Sequence, residues 1–256
     1  MFGDLGLPPD LDGHLGLRGS AGMDLWFLPL GEDPVAHPGY RTFAPEELRG
    51  LGALSPPGLL GLVVDGPFGR EIRLRGLEGA LDPLVRSRAA AGAAFAASTR
   101  AAVDLVAATR GLGWAVVVAD DLAGQTGPLV HPDALRAVLL PAYARLTEAI
   151  HGDGRLALLH SDGALTELVP DLRAAGFDGL AAYEPELVDA RRALALGGAS
   201  WRLIGGVPAT WVLEGAPPRG ARDPAAPGPE VWALASACGI ADGACWRHLL
   251  ECYQLL

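Results

Sequence analysis

Leu156-Ala157-Leu158-Leu159-His160-Ser161-Asp162-Gly163 reads as a strand that stays apolar until its last residue and then breaks into polar residues and a glycine. Side chains alternate along a strand, so His160 and Asp162 share a face. An apolar strand buried on both faces belongs in a parallel sheet, and in an α/β barrel the C-terminal ends of such strands are where chemistry is placed. The pattern recurs where Glu184 follows Gly179-Leu180-Ala181-Ala182-Tyr183 and where Cys238 follows Val231-Trp232-Ala233-Leu234-Ala235-Ser236. Imidazole, carboxylate and thiolate are an ordinary ligand set for zinc, and three protein ligands leave one position open for substrate or water. His160, Glu184 and Cys238 are therefore candidate metal ligands, provided that their strands are neighbours. The other reading of the His-x-Asp pair is a histidine hydrogen-bonded to a carboxylate.

Outward from this stretch, strand-length apolar runs at 24–28, 59–65, 114–119, 156–160, 179–183, 201–206 and 231–236 alternate with helical patterns, as in βα units around a parallel sheet. A helix is predicted from Pro132, with Leu135, Val138, Leu139, Leu146 and Ile150 on one stripe, a kink at Pro141 and an end at Gly152. The Ala-rich stretch 81–110 predicts one long helix, weakened by Gly92 and bounded by Gly111. Proline and glycine crowd 215–229, which reads as a surface loop.

A chain of 256 residues that is 50% hydrophobic can bury a full core, and a single domain is the expectation, with 1–40 as an irregular N-terminal segment. The net charge of −10 argues against nucleic acid or an anionic membrane as partner, because both need a basic face. The chain has no lysine, which excludes a Schiff base and a P-loop lysine. Cys238, Cys245 and Cys252 are odd in number and clustered, so a reducing, cytoplasmic compartment fits better than a disulfide framework. No signal peptide is recognised at the N-terminus, and no stretch reaches the roughly 20 apolar residues of a membrane span.

Further candidates lie at other strand ends. Asp120 and Asp121 close the run 114–119; one of them binds a ligand or orients His160, or they are capping or rim acids. Arg70, Arg73 and Arg75 follow Gly66-Pro67-Phe68 on the expected loop after a strand, where they hold a carboxylate-bearing substrate or form solvated surface. Tyr183 and Trp211 line a pocket or pack at the rim.

The stretches Val64-Asp65-Gly66-Pro67-Phe68, Ala119-Asp120-Asp121-Leu122-Ala123-Gly124-Gln125-Thr126-Gly127, Pro132 to Pro141, His160-Ser161-Asp162-Gly163, Tyr183-Glu184-Pro185-Glu186 and Ser236-Ala237-Cys238-Gly239-Ile240 together resemble the uroporphyrinogen decarboxylase superfamily, over roughly residues 40–256. The resemblance implies a TIM (β/α)8-like barrel. With about seven strands against the eight of a closed barrel, it is incomplete, and the gap is filled by an irregular N-terminal strand, filled by a partner subunit as in a homodimer, or left open. The superfamily holds metal-free decarboxylases and zinc-dependent methyltransferases that work with corrinoid proteins or methylfolates. The arginine-rich N-terminal segment of the decarboxylases is not found here, and Ala237-Cys238-Gly239 stands where they carry Gly-His-Gly. The methyltransferase branch carries a His-x-Cys pair and a later cysteine, and the related cobalamin-independent methionine synthases add a glutamate; His160, Glu184 and Cys238 match three of these positions, while Asp162 replaces the first cysteine.

The resemblance thus implies a zinc-dependent methyltransferase moving a methyl group between a corrinoid or similar donor and a thiol acceptor. Its candidate catalytic residues are Asp121 and Asp162, its candidate substrate contacts Arg70, Arg73 and Tyr183, and its partners a small molecule and a corrinoid protein. A tetrapyrrole decarboxylase and a non-catalytic corrinoid-binding module are the alternatives.

Overall fold

The computed structural model of the chain describes residues 25–31, 42–49, 51, 59–215, 233–236 and 248. Seven strands form one sheet in chain order: β1 (Leu25–Pro29), β2 (Leu59–Asp65), β3 (Ala115–Ala119), β4 (Leu156–His160), β5 (Gly179–Tyr183), β6 (Arg202–Val207) and β7 (Ala233–Ser236). Every neighbouring pair is parallel. Between the strands run α1 (Pro45–Leu48), α2 (Pro67–Arg86), α3 (Arg88–Ala108), α4 (Leu140–His151), α5 (Val169–Ala174), α6 (Ala190–Gly197) and α7 (Ala209–Glu214). A strand order that never reverses has no switch point, which sets this sheet apart from a doubly wound one.

The two faces of the sheet confirm this. Trp26, Leu28, Leu62, Val64, Val116, Val118, Ala157 and Leu159 pack with helical residues such as Phe68, Phe95, Tyr143 and Leu172. The opposite face buries Ala115, Val117, Leu158, Ala181 and Ile204 against Phe27, Val63 and other residues of the strands and their approaches, with no helical residue in the cluster. Helices on one side and strand side chains on the other are the layering of a barrel wall. Gly61 fits this interior, since a Cβ there would run into the Phe27 ring. The fold is α/β and agrees with an incomplete TIM-like barrel; among the described residues β1 and β7 do not pair with each other.

The outer edge of β1 is partly covered. Leu30 N–H donates to Val63 O on the β2 side (2.7 Å), while Phe43 N–H donates to Pro29 O (2.8 Å) and Gly31 N–H to Phe43 O (3.2 Å) on the other. This isolated bridge satisfies some of the backbone groups that an edge strand exposes.

Where their residues are described, the strands fall within one residue of their predicted bounds, residues 24, 231 and 232 of the expected runs lying outside the described residues; the helices depart from theirs. The stretch 81–110 is not one helix. α2 already starts at Pro67 and breaks at Gly76, whose φ is 74°. At Ser87 the backbone turns extended (φ −156°, ψ 104°), and the hydroxyl accepts Ala90 N–H as the N-cap of α3. The expected kink at Pro141 is replaced by a π-helical turn, Leu135–Leu139, in which Leu140 N–H bonds Leu135 O five residues back. The extra residue in that turn places Pro141 at the start of α4, where its missing N–H costs little. Among the described residues no helix is long and apolar enough to cross a membrane.

Two buried polar groups tie the ends of the sheet. At the C-terminal end, Asp120 is 1% exposed and receives Phe68 N–H (3.0 Å), Gly69 N–H and the Tyr143 hydroxyl (2.6 Å). A Cβ at Gly66 would collide with this carboxylate, so the glycine lets the N-terminus of α2 close onto it. Burial outweighs these donors and pushes the Asp120 carboxyl up to about 7. At the opposite end, Arg155 is 3% exposed. Its guanidinium donates to Val106 O (2.8 Å), Thr109 O (3.2 Å) and Leu112 O (3.3 Å) at the C-terminus of α3, and its Nε lies 2.9 Å from Asp153 Oδ2.

Arg155→Met is expected to strand these buried carbonyls and to lower unfolding free energy by about 3 kcal/mol in urea denaturation. Asp120→Asn, which sets an amide NH2 against converging donors, is expected to cost ~2 kcal/mol in the same measurement. Because the folded carboxyl holds its proton to higher pH than the unfolded one, the wild-type protein should lose stability as pH rises from about 4 to about 7, and Asp120→Asn should flatten that slope.

Candidate functional site

The register of β3 and β4 pairs Ala119 with His160, so the residues that follow each strand meet side by side. Asp120 N–H donates to His160 O (2.9 Å), and Asp162 N–H to Asp121 Oδ1 (3.2 Å). Alternation then separates two adjacent acids. Asp120 turns into the helix-side lock described above, and Asp121 turns towards the sheet's C-terminal mouth.

One ligand atom each from Asp121, His160 and Asp162 lie within 4.8 Å of one another. His160 Nε2 is 3.8 Å from Asp162 Oδ1, and its Nδ1 is 3.1 Å from Ala181 O. A carbonyl oxygen only accepts, so Nδ1 is the donor to Ala181 O, and Nε2 faces the carboxylates. Partial burial raises the Asp162 carboxyl above the usual range; His160 opposes this, and the charges of Asp121 and Glu184 add to it. The donor set, one imidazole and carboxylate oxygens, fits a divalent cation, zinc included.

Glu184 stands beside this trio rather than within it, and its Oε2 accepts Gly163 N–H (2.7 Å). It follows an irregularity in β5. Ala182 has a φ of 55°, unusual for a residue with a Cβ, and the β5–β6 register shifts between Ala181 and Tyr183. Ala181 therefore lies in the strand-lined interior while Tyr183, 2% exposed, lies in the helix-side core. The Tyr183 ring is packing where a substrate contact was expected, because the bulge exchanges the faces after it. Gly205 on β6 makes room, since a Cβ there would sit 2.6 Å from Tyr183 N.

The arginines are placed differently from their expected loop. Arg70, Arg73 and Arg75 lie on α2, since Pro67 starts a helix directly after β2. Arg73 pairs with Asp65, and Arg75 Nε is 2.9 Å from Glu71, a buried carboxylate that also accepts the Ser98 hydroxyl (2.5 Å). Trp211 is buried on α7. Cys238, Cys245 and Cys252 fall outside the described residues. Asp65, the partner of Arg73, ends β2 with the same signal, for Val63-Val64-Asp65-Gly66 is an apolar strand closing in a polar residue and glycine.

No protein-family model matches the chain, and no curated protein matches it in sequence. Its fold matches that of solved structures, among them a methyltransferase from Methanosarcina mazei, with a TM-score of 0.61 at 16% identity over 82% of this chain. The chain spans 63% of the length of that methyltransferase. At this identity the likeness is one of fold.

Proposed function

We propose that this chain is a methyltransferase-like enzyme of the uroporphyrinogen decarboxylase superfamily type. In this reading it holds a zinc ion at the mouth of its sheet and moves a methyl group from a corrinoid or similar donor to a thiol acceptor. The observation that carries the reading is the convergence of Asp121, His160 and Asp162, with the imidazole turned by the Ala181 carbonyl so that Nε2 is available as a ligand. The fold shared with a methyltransferase supports it.

Asp121, His160 and Asp162 would hold the ion, with Cys238 as a further ligand from beyond the described residues and Glu184 fixing the loop that carries Asp162. The ion would supply positive charge beside which a thiol gives up its proton at neutral pH. Transfer then balances simply: sulfur forms a bond to the methyl carbon, and the donor keeps the electron pair of the bond that breaks. The residues supply orientation and an acidic surrounding in which a cation is held more readily than a polyanion. Asp65, Asp121, Asp162 and Glu184 all stand at strand ends, and Arg73 and Arg75 are engaged by Asp65 and Glu71. This charge pattern speaks for a metal and against an anionic tetrapyrrole.

Protein purified after zinc-replete growth is expected to contain close to stoichiometric zinc by inductively coupled plasma mass spectrometry. His160→Ala and Asp162→Ala should lose most of it, and Cys238→Ala measures whether a thiolate completes the set. A metal-free wild type overturns the reading. Incubated with methylcobalamin and a small thiol, the zinc-loaded protein should accelerate loss of the methylcobalamin absorbance at least tenfold over His160→Ala; equal rates would instead favour a binding module.

A further inference from the structure

Ser161 stands in the chain between two of the residues of this cluster, and nothing so far gives it a part. It is 1% exposed. Its Oγ accepts Leu122 N–H at 2.9 Å and lies 2.8 Å from Asp162 O, to which the hydroxyl donates. Leu122 directly follows Asp121. One hydroxyl thus joins the backbone beside one carboxylate to the backbone of the other, using its donor and one acceptor site.

The surrounding contacts make this tie the centre of a seam. Asp120 N–H on His160 O opens it, Asp162 N–H on Asp121 follows, and beyond Ser161 Ala164 N–H donates to Gly124 O (3.0 Å). Gly163 has a φ of 91°, and a Cβ there would lie 2.5 Å from Ala123 O. The segments 120–124 and 160–164 therefore run in close backbone contact. Among the contacts of this seam, Ser161 supplies a side chain that links the two segments without itself facing the carboxylates. Without the hydroxyl, Leu122 N–H would be buried and unbonded, and the segments would be free to part.

We propose, on the footing of the metal site above, that Ser161 is a positioning residue: its hydroxyl fixes the separation of Asp121 and Asp162 and so sets the affinity of the cluster for a divalent cation. Groups that orient metal ligands without touching the metal typically change affinity 10–100-fold when removed. Thr147 provides a control distant in the fold, for its buried hydroxyl donates to Ala175 O (2.6 Å) and ties α4 to the end of α5.

The test is titration of the full-length protein with Co2+, followed by visible absorption, for the wild type, Ser161→Ala, Ser161→Thr and Thr147→Val. Ser161→Ala is expected to weaken Co2+ binding about 10–100-fold and to alter the ligand-field bands, while Ser161→Thr and Thr147→Val keep wild-type affinity and spectrum. Unchanged binding by Ser161→Ala, or equal weakening by Thr147→Val, overturns the role of Ser161. A wild type that binds no Co2+ overturns the metal site itself. Should Ser161→Ala not fold, amide exchange of the wild type decides: added Zn2+ should slow exchange at Leu122 N–H, and an unchanged rate overturns the proposal.

Discussion

A sheet lined by apolar side chains on both faces leaves its ends as the place for polar chemistry, and that constraint organises this molecule. Helices cover one face of β1–β7, and strand side chains close against one another on the other. A charge along either face would lose its hydration with no compensating partner. The polar groups collect instead where strands stop. One end is fastened by a guanidinium that finishes a helix, the other by a carboxylate that starts one. Between the fastened α2 and the following loops lies the mouth where Asp121, His160 and Asp162 meet. The same backbone seam that carries the pairing of β3 and β4 beyond their ends also holds the candidate ligands.

Much of the sheet was legible in the chain because a buried parallel strand is a run of apolar residues with abrupt ends, and such runs mark their own limits. Leu156 to His160 and Gly179 to Tyr183 were found to the residue. The helices were harder, since the alanines that follow Arg88 favour a helix and the break before them is marked by Pro83 and the hydroxyl at Ser87 alone. The pairing of His160 with Asp162 follows from alternation alone. The choice between Asp120 and Asp121 does not, because it depends on which neighbour approaches. Asp120 was claimed by Phe68 and Gly69, residues more than fifty positions earlier.

Tyr183 and the arginines show two further limits. Nothing in Ala181-Ala182-Tyr183 announces a positive φ, for alanine is a poor occupant of that region, where it costs about 1–2 kcal/mol. The strand beside the bulge carries Gly205, where a Cβ would crowd the displaced backbone of Tyr183. Arg73 and Arg75 look free in the sequence, yet the turns of α2 and the end of β2 bring Asp65 and Glu71 to them. In each case the deciding partner sits on another element.

The irregularity at Ala182 acts as a change of parity. Upstream of it, odd-numbered positions of β5 face the interior; downstream, the aromatic is turned outwards and the acid that follows it reaches Gly163. An insertion or deletion near this point would leave the strand's hydrogen-bond ladder largely intact while exchanging which side chains look into the cleft. A comparison that aligns β5 by composition alone would therefore pair Glu184 with residues of the wrong side. Counting outward from the bulge, rather than from the start of the strand, is the alignment that keeps the geometry of the mouth.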